Sequence, residues 1–241
     1  MTSTNIVIVG AGAAGLAAAK ELRRLGRDFL VLEAAHRIGG RAYTEDLVPG
    51  IPFDLGAHWI MAPSVNPLMP LAERSQVRLE RAKEHFSAAR YFEDGEWLPE
   101  NAYRQFGAYW DKQFAALALA GDGRQDTSVF DVIDNDNRWA PYFHLFYAQD
   151  FTRDVDQASV EDTLAYTRQE DDLAVASGLG NLLAQYGADI PVALNSAVRK
   201  IDSSAARLEL DTVKGRVYAD KLILTVSTGV LSTRQIEFSP S

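Results

Sequence analysis

Three glycines in the run Gly10-Ala11-Gly12-Ala13-Ala14-Gly15 offer the first chemistry in this chain. In a G-x-G-x-x-G spacing the first glycine makes a tight turn, the second lets backbone approach a pyrophosphate, and the third allows close packing of helix on strand. A helix that opens at Ala13 and Ala14 then turns its N-terminus toward the phosphate charge. The spacing alone is weak, because a strand-to-helix turn rich in small residues also arises for packing. Its surroundings are more specific. An apolar run, Ile6 to Val9, precedes it, helix formers follow it, and a second apolar run ends at Glu33. That acid stands about 20 residues beyond the loop, where a carboxylate accepts hydrogen bonds from ribose hydroxyls. An acid here disfavours a 2′-phosphate, so NADP is the poorest candidate among the dinucleotides.

The rest of the chain supplies few rival chemistries. It contains no cysteine, which excludes disulfides, thiolate nucleophiles and Cys-ligated metals. The histidines, His36, His58, His85 and His144, have no ligand-like spacing, and Asp134-Asn135-Asp136-Asn137 lacks the glycine and distal glutamate of a calcium loop. That stretch and Glu170-Asp171-Asp172 read as solvated turns. Neither a metal site nor a Ser/His/Asp arrangement is expected.

The elements that must position the glycine loop are legible from periodicity. Ile6 to Val9 is a β-branched run suited to a strand buried on both faces. A helix is expected from Ala13 to Leu25, stopped by Gly26, with a second strand from Phe29 to Leu32. A short strand, Ile51 to Leu55, follows Pro49-Gly50, and a helix is expected from Asn66 or Pro67 to about Ser75. Arg90 to Leu98 reads as a hairpin turning at Asp94-Gly95. From Pro99 to about Tyr186 the pattern is mainly helical, with Ser159 before Asp162 as an entry cap. Five strands end the chain: Ile190 to Leu194, Ala197 to Ile201, Arg207 to Leu210, Arg216 to Ala219 and Leu222 to Val226. Strand-rich ends around a helical middle predict a discontinuous domain, residues 1–80 with 188–241, interrupted by an insertion at 81–187.

Composition narrows the class. At 241 residues with 47% hydrophobic and 24% charged, the chain suits one large domain or two intertwined ones. A net charge of -9 argues against a nucleic-acid partner. No apolar stretch reaches the roughly 20 residues of a membrane helix. The first apolar run, at Ile6, has no basic leader, so a cytoplasmic location is expected.

Beyond the loop, Leu32-Glu33-Ala34-Ala35-His36-Arg37-Ile38-Gly39-Gly40-Arg41 resembles the flavin-containing amine oxidase family, which extends the dinucleotide fold with an Arg-x-Gly-Gly-Arg segment. Asp54-Leu55-Gly56-Ala57-His58-Trp59-Ile60 is similar to the family's second flavin motif, and Val198-Arg199-Lys200-Ile201 to the strand that holds adenine through backbone. The resemblance implies an α/β fold: a Rossmann-like FAD-binding domain with an inserted, mainly helical substrate domain. It implies FAD as cofactor, held by Gly10, Gly12, Ala13, Ala14, Gly15, Glu33, Ala34, Arg37, Gly39, Gly40, Arg41, Gly56, Ala57, His58, Trp59 and Val198. It further implies oxidation of a small amine or amino acid to an imine, with O2 as acceptor and H2O2 as product. Physically, Gly39 and Gly40 would let backbone pass close to the phosphate and ribityl region, and Arg41 offers a forked guanidinium to pyrophosphate. Gly56 and Ala57 remove bulk where a planar ring lies against backbone, with His58, Trp59 and Met61 near that ring.

Two features depart from the pattern. Met61 stands where polyamine-oxidising relatives carry an ionisable residue. The sequence also ends at Ser241, before the region where the family places its lysine near the flavin, its aromatic substrate walls and its last flavin-contacting helix. The family's C-terminal part is therefore expected to be absent, leaving exposed core surface that favours self-association or a partner. Two alternatives follow: a catalytically incomplete FAD-binding module, and a related desaturase or protoporphyrinogen-type oxidase. Tyr91, Trp97 and Tyr166 are candidate substrate-contacting aromatics without a ranking.

Overall fold

A computed structural model describes residues 2–81, 90–121, 126–165 and 171–240; His85, Tyr166 and Glu170 lie outside them. The chain divides into two compact units, Met1–Arg81 with Asp172–Ser241, and Ala82–Asp171.

In chain order the first unit begins with β1 (Thr2–Val9), α1 (Ala13–Arg24), β2 (Phe29–Leu32), β3 (Thr44–Val48), β4 (Ile51–Asp54), β5 (Trp59–Ile60), α2 (Met69–Arg74) and β6 (Leu79–Arg81). The second unit holds β7 (Phe92–Glu93), β8 (Glu96–Trp97), α3 (Ala102–Ala120), α4 (Ala140–Phe151) and α5 (Val160–Ala165). The first unit then resumes with β9 (Leu173–Val175), α6 (Leu179–Gly187), β10 (Val192–Ala193), β11 (Val198–Asp202), β12 (Leu208–Thr212), β13 (Gly215–Leu224), α7 (Thr228–Ser232) and β14 (Glu237–Ser239).

The first unit is built on a seven-stranded sheet in the order β10-β2-β1-β13-β12-β11-β14. Its parallel half, β10-β2-β1-β13, has the arrangement of a doubly wound, Rossmann-like sheet. β1 lies inside the sheet, and its carboxyl end, Val7 to Val9, is buried on both faces. Ile8 packs with Leu16, Ala19 and Val31 on the α1 side, while Val7 and Val9 pack with Leu32, Leu210 and Val217 on the other. This two-residue alternation lets a continuous apolar run serve two cores. α1 ends in a Schellman closure: Gly26 takes φ +63, its N–H donates to the Arg23 carbonyl, and the Arg27 N–H donates to the Leu22 carbonyl.

Two expectations are corrected. Arg216–Ala219 and Leu222–Val226 are not separate strands. β13 runs unbroken because its first half pairs antiparallel with β12 while Val217–Leu224 pairs with β1, so Asp220-Lys221 makes no turn. Residues 172–187, expected with the helical insertion, belong to the first unit. β9 there pairs with both β5 and β6, and Leu179, Leu182 and Leu183 of α6 join Ala42, Ile60 and Leu71 in one core.

The second unit packs aromatic stripes. Phe106, Tyr109, Trp110, Gln113, Phe114 and Leu117 of α3 recur at helical spacing and meet Phe143 and Tyr147 of α4. Gln113 is buried yet satisfied, donating to the Tyr109 carbonyl and accepting from the Asp134 N–H at 2.9 Å. Burial pushes the Tyr109 hydroxyl up to about 12. Tyr91 belongs to this aromatic core, whereas Trp97 is exposed. The Asp94-Gly95 turn takes positive φ at both residues, and Ser159 Oγ accepts from the Asp162 N–H as the α5 cap. Among the described residues no helix is long and apolar enough to cross a membrane, and no His/Cys/Asp/Glu group could hold a metal ion.

Ile8→Ala removes a fully buried side chain beneath the glycine loop. It is expected to lower stability by about 2–5 kcal/mol, read as a reduced urea midpoint at unchanged slope. His144 donates from Nε2 to Asn135, and burial holds its pKa below the ordinary histidine value, with Asp156 opposing. The unfolded chain therefore binds this proton more readily, and stability present above the ordinary value near about 6.5 is lost as pH falls below it. Denaturation midpoints measured between about pH 7 and 5 should fall less steeply in His144→Gln than in the parent chain.

Candidate dinucleotide-binding site

β1 has β2 on one side, reached through α1, and β13 on the other, so the connections diverge at its carboxyl end. This is the switch-point crevice where doubly wound sheets take ligands. Gly10 turns there at φ +106, and a Cβ on it would stand 2.7 Å from Thr225 Oγ1. A Cβ on Gly15 would lie 1.9 Å from the Gly10 carbonyl oxygen. Only glycine permits this crossing of helix and strand end. Gly12 caps α1 without a side-chain hydrogen bond, no acid occupies the first turn, and Ala13 and Ala14 are exposed. The first-turn amides thus meet no competing side-chain cap.

Glu33 stands at the end of β2 and braces the loop. Its Oε2 accepts from the Ala11 N–H at 2.6 Å and its Oε1 from the Ala35 N–H at 2.8 Å. Its own carbonyl accepts from the Ser196 N–H, tying it to the segment that leads into β11. Val198 opens that strand, buried in the same core as Leu32. Ala34 is exposed beside Glu33.

The second glycine pair lies directly against the first loop. The Gly39 N–H donates to the Ala11 carbonyl at 2.9 Å, and a Cβ on Gly40 would sit 3.1 Å from Gly12 Cα. The third segment lies against the second: the Ala57 N–H donates to the Arg41 carbonyl, and a Cβ on Gly56 would be 2.0 Å from that same oxygen. Residues 10–15, 39–41 and 56–57 therefore lie side by side in sequence order. Arg41 is exposed, whereas Arg37 stacks its guanidinium 4.0 Å from the Tyr43 ring centre and donates to the Ile38 carbonyl. His58 contacts the Gly56 carbonyl through Nδ1 and lies against Trp59, with ring centres 4.7 Å apart. Met61 is partly exposed just beyond.

Thr225 was not singled out by sequence. Its Oγ1 donates toward the Val9 and Gly10 carbonyls at 2.9 and 3.2 Å, and its N–H donates to Val9. The only signal for it is its place just after the strand that borders β1.

A sequence profile described as flavin containing amine oxidoreductase matches residues 13–241. The chain belongs to this family. Maize (Zea mays) polyamine oxidase 1 is 26% identical, covering 98% of this chain and 55% of its own length. Rice (Oryza sativa subsp. japonica) polyamine oxidase 6 is 29% identical with the same coverage, 98% and 55%. A rice lysine-specific histone demethylase 1 homolog 2 is 28% identical over 99% of the chain but 34% of its own length. A putrescine oxidase solved with putrescine superimposes at a TM-score of 0.69 with 21% identity, covering 99% of this chain and 61% of its own; this shows the shared fold. The chain spans about half the length of the polyamine oxidases it matches.

FAD is the cofactor of this flavin-containing family. The residues present fit its ADP half on structural grounds: a glycine turn whose backbone packing leaves no room for a Cβ at Gly10 or Gly15, a helix N-terminus without a side-chain cap, and a carboxylate at the strand end. Glu33→Gln keeps one acceptor but turns an NH2 group toward a loop amide. It is expected to weaken FAD binding about tenfold or more, measured by fluorescence titration; unchanged affinity contradicts the role.

Proposed function

We propose that this chain forms the nucleotide-binding part of an FAD-dependent oxidase that converts an amine or amino acid C–N bond to an imine, with O2 as acceptor and H2O2 as product. The observation that carries the reading is the convergence of three glycine-bearing segments beside a helix N-terminus at the sheet's switch point. In this reading the Gly12, Ala13 and Ala14 region takes the pyrophosphate, Arg41 adds a charge-assisted contact, and Glu33 accepts from the ribose hydroxyls. Val198 would lie beside the adenine, and Gly56 to Trp59 would approach the ring. Bound flavin would supply the two-electron oxidation; the protein groups would orient the partners. The named polyamine and putrescine oxidases among the relatives support an aliphatic amine. Met61 stands where the resemblance puts an ionisable residue in polyamine-oxidising relatives, which favours an amine other than a polyamine.

A second reading has the chain bind FAD without turnover until further polypeptide completes it. It is motivated by the apolar hairpin face, where Leu47, Val48, Ile51, Phe53 and Leu55 are each at least half exposed. Titrating the 241-residue chain with FAD, then adding a panel of primary and secondary amines anaerobically, separates the two. Bleaching of bound flavin supports the oxidase; tight but unresponsive flavin supports the module. A folded chain that takes up no FAD refutes both.

A further inference from the structure

α6 enters its helix without a cap of its own. Gly178 at its N-cap takes φ +90 and offers no side chain. The cap is supplied instead from β4 and β3, 125 to 137 residues away in sequence. Asp54 Oδ2 accepts from the Leu179 N–H at 2.9 Å, Asp54 Oδ1 from the Gly180 N–H at 3.3 Å, and Thr44 Oγ1 from the Asn181 N–H at 3.0 Å. The Thr44 hydroxyl also donates to Asp54 Oδ1. Three first-turn amides are thereby satisfied by a carboxylate and a hydroxyl that face each other across the β3–β4 pairing.

The packing there admits no slack. A Cβ on Gly178 would lie 2.3 Å from the Thr44 side chain, and one on Gly180 would lie 2.3 Å from the Thr44 backbone nitrogen. Just outward along the same two chains, the Leu55 N–H donates to Tyr43 and the Ala57 N–H to Arg41. The segment carrying Arg41 and Gly56–Trp59 thus continues the capped hairpin through these two bonds. At its other end α6 reaches α1, where a Cβ on Gly187 would stand 2.8 Å from both Leu16 and Ile38. Leu16 is the residue whose N–H makes the first intrahelical bond behind the glycine loop.

We propose that Asp54, aided by Thr44, is a positioning residue that fixes the ring-side segment of the site relative to its phosphate end, with α6 as the strut between them. The proposal rests on the FAD reading above and goes beyond it by separating two tasks. ADP needs only the loop, Glu33 and the Gly39–Arg41 segment. FAD must also find residues 56–59 at the correct distance, so loss of the cap loosens FAD and spares ADP.

Isothermal titration of the 241-residue chain with ADP and with FAD tests this directly. In Asp54→Ala, FAD affinity is expected to fall about tenfold while ADP affinity stays within about twofold. Asp54→Asn keeps one accepting oxygen but turns an NH2 group toward a group that donates to Asp54, so it should recover only part of the loss, and Thr44→Val should show the same split at smaller size. Equal losses of ADP and FAD in Asp54→Ala and Thr44→Val, or no loss of FAD, overturn the proposal. A parent chain that binds neither ligand instead refutes the site itself, and the positioning role with it.

Discussion

The turn from β1 into α1 is made by backbone approaching backbone. The Gly10 carbonyl oxygen occupies the space where a Gly15 Cβ would stand, only 1.9 Å from it. That contact sets how closely the helix crosses the strand end, and so where its first-turn amides lie. The neighbouring parts conform to it. Thr225 fills the far side of the turn with a hydroxyl bonded to its carbonyls, Glu33 holds the Ala11 amide, and Gly39 pairs with Ala11 from the other flank. The proposed anion site is therefore preorganised by groups that carry no positive charge, with the helix end supplying the field.

From this turn the structure extends outward in steps, each a close backbone contact. Gly40 meets Gly12, Gly56 meets the Arg41 carbonyl, and Gly180 meets Thr44. A dinucleotide is long and needs several recognition segments held at fixed separations. Here the separations are set by glycine contacts at one end and by the Leu16–Gly187 packing of α6 at the other. The β3–β4 hairpin, held through Thr44 and Asp54, leaves Leu47, Val48, Ile51, Phe53 and Leu55 exposed.

The parts governed by local physics were legible in the sequence. The buried β1, the glycine turn, α1 with its Gly26 stop, the strand ending at Glu33, the Asp94-Gly95 hairpin and the Ser159 cap all follow from periodicity or turn chemistry. What escaped depends on partners distant in the chain. β13 reads as two strands because Asp220 and Lys221 interrupt its apolar pattern, and only its change of partner from β12 to β1 carries it through. β9 is a three-residue strand whose identity comes from β5 and β6, so residues 172–187 looked continuous with the helices before them. The Asp54 and Thr44 cap spans more than a hundred residues, and no spacing rule reports it. Arg37 matched the motif by position, yet stacking on Tyr43 gives its charge a local partner.

The central claim is that the α1 N-terminus and the segment beside it receive a pyrophosphate. Backbone amide shifts of the isotopically labelled chain, followed during ADP addition, test it most directly. The account predicts saturable changes largest at Gly12, Ala13, Ala14 and Gly15, with a second group at Gly39 to Arg41. Saturable binding that leaves these amides unmoved while shifting residues elsewhere would contradict it.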